Sequence, residues 1–282
     1  MKKLALLTLV PLLLCNCGGS DIPQIDGYHL LWSDEFDGSE LNKDNWECMI
    51  GNGHEYGNPG WGNGELEYYK SENALVNEGK LIIRAKRESV EGFEFTSARI
   101  RTTKKVFFKY GRVEASIKLP AEKAMWPAFW MLPEEFAYGG WPDSGEIDIM
   151  EANGGSKYGT SAALHYSIQK GVDTYDLGYN AFNAREKESF EDFHVYAVEW
   201  EKEEFRFYVD DKEVLKVPLR TWSSGTVKKE DNPYAPFDKD FHILLNMAIG
   251  GNYVSNVNPE ASFTSADMEV DYVRVYQLNE GE

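Results

Sequence analysis

Hydrophobic and polar residues alternate in several short segments of the chain. The clearest examples are residues 112–119 and 205–210, in which apolar side chains occupy every second position. Alternation with a period of two predicts β-strands that bury one face and expose the other to water. Further strand candidates are residues 80–86, 193–200, 241–247 and 268–277.

Turn residues separate these segments, and no amphipathic helical period comes between them. Gly, Asn and Pro cluster in the connecting loops, and no internal repeat or linker follows residue 27. Many short strands joined by turns predict two stacked antiparallel sheets. We therefore expect one all-β domain over residues 28–282, a β-sandwich of the jelly-roll type.

The net charge of the chain indicates which classes of ligand it can bind. The 282 residues include 29 basic and 47 acidic side chains, for a net charge of −18. Nucleic-acid binding requires a basic face, so we expect no nucleic-acid partner. Aromatic residues make up 14% of the chain, and they recur in loops rich in Gly and Asn. Such loops suit a cleft that stacks on flat, apolar ring faces of a neutral ligand.

The N-terminus has the features of an export signal. Two lysines precede an unbroken apolar run over residues 4–14, which is too short to span a membrane as a helix. The cysteine that follows resembles the acylated cysteine of bacterial lipoproteins. Cys17 is the expected lipidation site because a Gly-Gly-Ser tether follows it, and Cys15 is the alternative.

This signal predicts where the protein resides. Residues 1–17 form the signal peptide and lipidated cysteine region, and residues 18–27 form a short tether. We expect a protein that is anchored by lipid in the bacterial cell envelope, at the outer membrane and exposed on its surface, with no other membrane contact. Plain cleavage, which would leave a periplasmic or secreted protein, is the alternative.

Cys48 is the one cysteine of the expected mature domain. A single cysteine cannot form an internal disulfide. No basic or histidine-rich segment surrounds it in sequence, so we predict a buried, unreactive thiol.

Three carboxylates occur within six residues, Glu146, Asp148 and Glu151, separated by apolar side chains. On a strand, Glu146 and Asp148 share one face, and the isoleucines between them face the core. Strict alternation would bury Glu151 without a partner, at a cost of several kcal/mol. An extra residue at positions 149–150, a β-bulge, would return Glu151 to the acidic face.

Crowded carboxylates suit the hydrolysis of glycosidic bonds with retention of configuration. That reaction needs a nucleophilic carboxylate and a protonated carboxyl about 5 Å apart. Crowding separates the pKa values of such groups, so that one stays protonated while another is ionised. Asp148 is shorter, and it would fit between the glutamates and tune the nucleophile. A solvated polar strand face and a metal site are the alternatives, although the histidines or extra oxygen ligands that a metal requires are absent nearby in sequence.

Residues 146–151 resemble the catalytic strand of glycoside hydrolase family 16, in the bulged form of its laminarinase-like members. The resemblance extends along nearly the whole mature chain. Its other segments are residues 32–36 (WSDEF), 61–66 (WGNGEL) with Tyr68 and Tyr69, 126–132 (WPAFWML), 163–166 (ALHY), 194–200 (HVYAVEW) and 246–251 (NMAIGG).

The resemblance implies curved sheets with an open substrate cleft on the concave face, and a role for each acid. Glu146 would be the nucleophile, Asp148 its assistant and Glu151 the acid/base. Seven further residues would bind substrate, with structural roles in the core, in turns or in salt bridges as the alternatives: Asn63, Arg99, Trp126, Trp130, Trp141, His165 and Asn246. For Trp46, Trp200 and Trp222 we expect core positions.

The same resemblance bears on metal ions. Members of the family often carry a structural Ca²⁺ away from the cleft, and Asp271 matches a position that can ligate it. No cofactor is expected to be required for catalysis.

These observations lead to one main functional hypothesis, a monomeric, retaining endo-β-glucanase that acts on β-1,3-glucan, mixed-linkage β-1,3/1,4-glucan or both. A transglycosylase with the same covalent intermediate and a galactanase of the same fold are alternatives, although an acidic chain suits sulfated galactans poorly. A glycan-binding lipoprotein without catalysis is another alternative, but it would have no need for Glu146 or Glu151.

Overall fold

The computed structural model describes residues 22–279, so the predicted signal peptide and both candidate lipidation sites, Cys15 and Cys17, lie outside the described residues. The strands of the described part are β1 (Tyr28–Asp34), β2 (Glu47–Met49), β3 (Glu67–Tyr69), β4 (Ala74–Asn77), β5 (Lys80–Val90), β6 (Phe93–Ser97), β7 (Arg99–Arg101), β8 (Phe107–Phe108), β9 (Gly111–Lys118), β10 (Met125–Pro133), β11 (Glu146–Ala152), β12 (Gly159–Gln169), β13 (Val172–Ala181), β14 (His194–Trp200), β15 (Glu204–Val209), β16 (Lys212–Pro218), β17 (Phe241–Ile249) and β18 (Ser265–Leu278). Three short 3₁₀ helices are His54–Tyr56, Pro59–Gly62 and Ser71–Asn73.

The strands form two sheets. The ten-stranded sheet has the order β16-β15-β14-β9-β18-β5-β6-β3, with β1 paired to β18 and β4 to β5. The eight-stranded sheet has the order β13-β12-β11-β10-β17-β7-β2, with β8 paired to β17. The predicted all-β sandwich of the jelly-roll type is confirmed, as are all six strands predicted from alternation. One pairing, β3 with β6, is parallel rather than antiparallel.

The hydrophobic core lies between the two sheets. The eight-stranded sheet contributes Phe129 and Ile147, and the ten-stranded sheet contributes Phe207 and Val275, all fully buried. The tryptophans that we expected in the core are there: Trp46, Trp200 and Trp222. The core therefore uses one face of each sheet and leaves the other face of the eight-stranded sheet free for a site.

Alternation predicted that β9 and β15 each expose one face to water. This prediction is wrong for β9 and correct for β15. In β9, Arg112 and Glu114 are buried, because this strand lies between β14 and β18 and its charges pair there. Arg112 Nε lies 2.9 Å from Glu114 Oε2, and Arg112 Nη1 lies 3.1 Å from Glu199 Oε1. In β15, Phe205 and Phe207 are fully buried and the alternating polar residues are partly exposed. Paired charges can thus occupy an interior strand face that looks polar in sequence.

Cys48 is partly exposed rather than buried, because β2 is the edge strand of the eight-stranded sheet. Partial burial, followed by the charge of Glu47, raises the pKa of its thiol. A thiol that stays protonated is a poor nucleophile, so the structure agrees with the prediction of an unreactive cysteine.

Within residues 22–279, the helices lack the length and the apolar character that crossing a lipid bilayer requires.

Candidate active site

The three acids of β11 lie on one face of the eight-stranded sheet because the strand contains a bulge. Asp148 is opposite Ala163 of β12 and Glu151 is opposite Ser161, so three steps along β11 match two along β12. Ile149 and Met150 both point into the core. The predicted bulge is confirmed, and Glu151 returns to the side of Glu146. This outer face is called the carboxylate face below.

A glycine controls how the chain enters β11. Gly145 has a φ of +85°, which side chains with a Cβ rarely adopt, and a Cβ there would lie 2.7 Å from a ring carbon of Phe237. The position therefore requires glycine. It places Glu146 at the first residue of the strand.

Asp148, His165 and Asp173 form a chain of charged side chains across neighbouring strands. Asp148 Oδ2 lies 3.3 Å from His165 Nε2, and the two carboxylate oxygens of Asp173 lie 3.0 and 3.1 Å from His165 Nδ1. Asp148 is buried, with 4% of its surface exposed. The imidazole is thus held between two carboxylates and can donate to both.

These partners keep His165 positively charged. Burial alone would lower the pKa of His165, but hydrogen bonding to Asp148 and the charges of Asp148 and Glu146, together with the bond to Asp173, raise it to about 10. Glu146, Asp148 and His165 present ligand atoms within 4.8 Å of one another, the one such group among residues 22–279. A metal ligand must be a neutral imidazole. The protonated ring therefore fits the role of a counter-ion for the acids better than that of a ligand.

Glu151 is held as a protonated acid at neutral pH. Burial, followed by the negative charge of Asp148, raises its pKa from the usual 4.5 to about 8. The indole Nε1 of Trp126 donates a hydrogen bond of 2.9 Å to Glu151 Oε1. This hydrogen bond lowers the pKa of Glu151, against the effects of burial and of Asp148. The carboxyl is partly exposed at the surface, where it can reach a ligand.

The surroundings of Glu146 also favour its protonated form. Burial, followed by the charge of Asp148, raises the pKa of Glu146 well above its usual value, and the charge of Glu151 acts in the same direction. Two cations, His165 and Arg99, lower it. Because Glu146 and Glu151 carry like charges when ionised, ionisation of one opposes ionisation of the other, and one protonated acid beside one ionised carboxylate is the arrangement that retaining hydrolysis uses.

Arg99 lies between two indole rings beside the acids. Its guanidinium carbon is 4.5 Å from the ring centroid of Trp61 and 4.7 Å from that of Trp130. No carboxylate lies within 4.0 Å of it in the described part of the chain. Since two ring faces hold the cation and no acid neutralises it, its N–H groups can donate to hydroxyls.

A hydrogen-bond network extends this region away from β11. Trp130 Nε1 donates to Asn246 Oδ1 at 2.7 Å, and Asn246 Nδ2 donates to the hydroxyl of Tyr69 at 3.2 Å. Tyr69 donates to Glu65 Oε2 at 2.9 Å, and Asn63 Nδ2 donates to Glu65 Oε1 at 3.2 Å. The network fixes the orientation of both amide side chains.

Aromatic rings flank the acids on the other side. Trp126 stacks on Tyr253 with ring centroids 5.1 Å apart, and Gly251 makes room, since a Cβ there would lie 3.2 Å from the indole. Trp141 is 50% exposed, with its ring 6.0 Å from His165. Six of the seven residues that the resemblance singled out for substrate binding therefore lie on the carboxylate face, and Asn63 joins it through the hydrogen bonds of Glu65 and Tyr69.

Asp271 does not belong to this site. It is exposed on β18 of the ten-stranded sheet, at a register shift between Val270 and Tyr272. Its part in a calcium site stays a prediction, since backbone oxygens would supply most of the ligands.

Several residues that the structure brings into the site have no role predicted from the sequence. These are Trp61, Glu65, Tyr69, Asp173 and Tyr253. Four of them lie within or next to segments quoted for the resemblance, which was a usable signal. Asp173 had none, because its contact with His165 arises from the pairing of β12 with β13.

Comparisons with known proteins show which family the chain belongs to. The family model described as "Beta-porphyranase A-D, GH16 domain" matches residues 30–278. The chain is 41% identical to "Beta-glucanase" of Rhodothermus marinus, over 98% of this chain and 95% of that protein. It is 39% identical to "Glucan endo-1,3-beta-glucosidase A1" of Niallia circulans, over 90% of this chain but only 39% of that protein's length.

A solved structure gives the same result at the level of the fold. The endo-beta-1,3-glucanase of Pyrococcus furiosus superposes with a TM-score of 0.79 at 40% identity, covering 92% of this chain and 98% of that one. With the family model matched along the whole sandwich and the acids of β11 on one face, the chain belongs to the GH16 glycoside hydrolases.

Proposed function

We propose that the protein is a retaining endo-β-glucanase that cleaves β-1,3-glucan, mixed-linkage β-1,3/1,4-glucan or both. The bulge in β11 carries the proposal, because it brings Glu146 and Glu151 to the same face on either side of Asp148. The names of the relatives, which refer to β-glucan and β-1,3-glucan, support the choice of polymer.

In the first step, an ionised oxygen of Glu146 attacks the anomeric carbon and forms an ester bond. The bond from that carbon to the leaving oxygen breaks, its electron pair stays on that oxygen, and Glu151 supplies the proton. The protonated state of Glu151 at neutral pH fits this role. His165, held by Asp148 and Asp173, offsets the negative charge that surrounds the attacking carboxylate.

In the second step, water replaces the ester. Glu151, now ionised, takes a proton from the water as its oxygen attacks the anomeric carbon, and the bond to Glu146 breaks. Two inversions leave the product with the β configuration of the substrate. Both glutamates return to their starting protonation states.

The charges of the carboxylate face favour a neutral polymer. Arg99 and His165 are the cations beside the three acids, and His165 is already paired with two acids. Tryptophan and tyrosine rings suit the apolar faces of glucose units. A sulfated chain would meet three closely spaced acids on β11.

A galactanase is the second candidate, since the matched family model carries the description of porphyranases. Digestion of laminarin, barley mixed-linkage glucan, cellulose, xyloglucan, agar and porphyran separates the candidates. Oligosaccharides released from laminarin or barley glucan, with first products in the β configuration by proton NMR, support the proposal. Release from agar or porphyran alone would refute the choice of polymer, and binding of glucan without release would favour the glycan-binding alternative. Transfer to sugar acceptors without net hydrolysis would indicate a transglycosylase.

The pH dependence of activity follows from Glu151. Because the acid must be protonated and its pKa is about 8, we expect kcat/KM to fall about tenfold per pH unit above that value. In Trp126→Phe, loss of the hydrogen bond that lowers the pKa of Glu151 moves this alkaline limb to higher pH. Initial rates on soluble glucan from pH 4 to pH 10 measure both effects. An alkaline limb that is unchanged in Trp126→Phe, or that moves to lower pH, would contradict the assignment.

We also propose that the chain is exported and anchored by a lipid on Cys17, with Cys15 as the alternative, at the surface of the bacterial outer membrane. The apolar run over residues 4–14 and the Gly-Gly-Ser tether after Cys17 support this. Incorporation of radioactive palmitate that Cys17→Ser abolishes is the expected result. Palmitate incorporation that survives replacement of both cysteines would disprove it.

A further inference from the structure

Three apolar side chains stand exposed in a row on β13, the edge strand of the eight-stranded sheet. Tyr175, Leu177 and Tyr179 are 58%, 57% and 65% exposed, respectively. We propose that this row, called the β13 platform, binds the polysaccharide beyond the carboxylates and extends the cleft to the edge of the sheet. The proposal rests on the proposed function, since it takes a glucan chain as the ligand.

The strand register places the platform in line with the acids. Glu146 is opposite His165, which is opposite Tyr175, and Glu151 is opposite Ser161, which is opposite Tyr179. Residues opposite each other on adjacent strands share a face. The platform therefore lies on the carboxylate face, about 10 Å from β11 at two strand spacings.

A line of paired residues across β11, β12 and β13 leads from the acids to the centre of the platform. Asp148 is opposite Ala163, and Ala163 is opposite Leu177. The small side chain of Ala163 leaves a low floor between Asp148 and the exposed leucine. A chain of sugars that lies along this line would have one tyrosine on each side. The two tyrosines are about 13 Å apart along β13.

Tyr175 contacts a residue next to the acids, and Tyr179 contacts β12 beside them. The ring of Tyr175 lies 5.3 Å from the ring of His165. Tyr179 lies over Gly159, where a Cβ would lie 1.7 Å from its hydroxyl. Ser161, the residue opposite Tyr179, hydrogen-bonds to the hydroxyl of Tyr253 at 2.7 Å. The platform is thus continuous with the aromatic rings around Glu151.

The other side of β13 is fixed to the protein. At Gly178, a Cβ would lie 2.5 Å from the Cβ of Leu215 and 2.7 Å from the carbonyl oxygen of Val214, so β13 packs closely on β16. A supported strand presents its outward rings with little loss of freedom on binding. The platform is therefore suited to receive a ligand without rearrangement.

The chemistry of the platform favours a neutral sugar chain. Tyrosine combines a flat apolar ring with a hydroxyl that can bond to sugar hydroxyls. Asp173 and Asp176 lie on the same strand, and the whole chain carries a net charge of −18, so an anionic polymer or an anionic membrane would be repelled. A second copy of this acidic chain would be repelled for the same reason.

The test measures binding in a background that cannot turn over. Titration calorimetry with laminarihexaose compares Glu146→Gln with the triple variant Glu146→Gln/Tyr175→Ala/Tyr179→Ala. The expected result is an increase in Kd of about tenfold or more on loss of the two rings. Phe193→Ala in the same background is the matched control, because Phe193 is an exposed aromatic residue outside the eight-stranded sheet, next to β14. It should leave Kd unchanged.

The outcomes distinguish a failure of the platform proposal from a failure of the proposed function. If the wild-type enzyme cleaves laminarin but the triple variant binds the hexasaccharide as tightly as its parent, the platform proposal fails and the proposed function stands. If the wild type neither cleaves nor binds β-glucans, both fail. Sedimentation velocity that shows a dimer for the wild type and a monomer for Tyr175→Ala/Tyr179→Ala would instead assign the row to self-association and overturn the platform.

Discussion

Replacing Glu146 with alanine is expected to lower kcat on β-glucan by at least about 10⁴-fold, because no other group can form the glycosyl ester. With an aryl β-glucoside that has a good leaving group, added azide should restore turnover by attacking the anomeric carbon directly. One inversion then gives an α-glycosyl azide, which proton NMR identifies. The matched control is Glu94→Ala, which removes an exposed glutamate on β6 whose side chain is 76% exposed.

The fold should survive the loss of Glu146. Removing one of three neighbouring acids relieves repulsion, so the melting temperature should stay near that of the wild type or rise. An active Glu146→Ala variant that makes the β-glycosyl azide, or a loss of activity that Glu94→Ala reproduces, would contradict the role of Glu146 as nucleophile.

Replacing Glu151 with alanine is expected to lower kcat on β-glucan by about 10²- to 10⁴-fold, the range that general acid catalysis supplies. The loss should be much smaller on a substrate whose leaving group needs no proton. Azide should now attack the anomeric carbon of the sugar that is bound to Glu146, and the bond to Glu146 breaks. This second inversion should give a β-glycosyl azide. On β-glucan, the residual activity of this variant should lack the fall of kcat/KM above pH 8 that the wild type shows, because the group responsible for it, with a pKa of about 8, is gone.

Two results would contradict this role. An alkaline limb that persists in Glu151→Ala would mean that another group is the acid. An α-glycosyl azide from this variant would mean that Glu151, and not Glu146, carries the sugar.

The sequence was sufficient to predict the bulge, because two local requirements conflicted. Apolar residues at 147, 149 and 150 had to enter the core, and Glu151 could not be buried with them without a partner. One inserted residue resolves the conflict, and the register of Asp148 and Glu151 against β12 confirms it. Local alternation also identified the strands that pack the core, because burial of one face is a property of each strand by itself.

Contacts between strands could not be predicted in this way. Asp173 meets His165 only because β13 pairs with β12, and Trp61 meets Arg99 only after a loop folds over β7. Nothing in the alternation of β9 shows that Glu199 of β14 pairs with Arg112 and turns its polar face into an interior one. Each depends on a partner distant in sequence, which a pattern along one segment does not contain.

Covalent trapping tests the central claim most directly. A 2-deoxy-2-fluoro-β-glucosyl donor with a good leaving group slows the second step more than the first, so the glycosyl ester accumulates. Peptide mass spectrometry of the inactivated wild-type protein should then find one sugar, attached to Glu146. Label on Glu151 or Asp148, or a turnover product of α configuration without any labelled peptide, would contradict it.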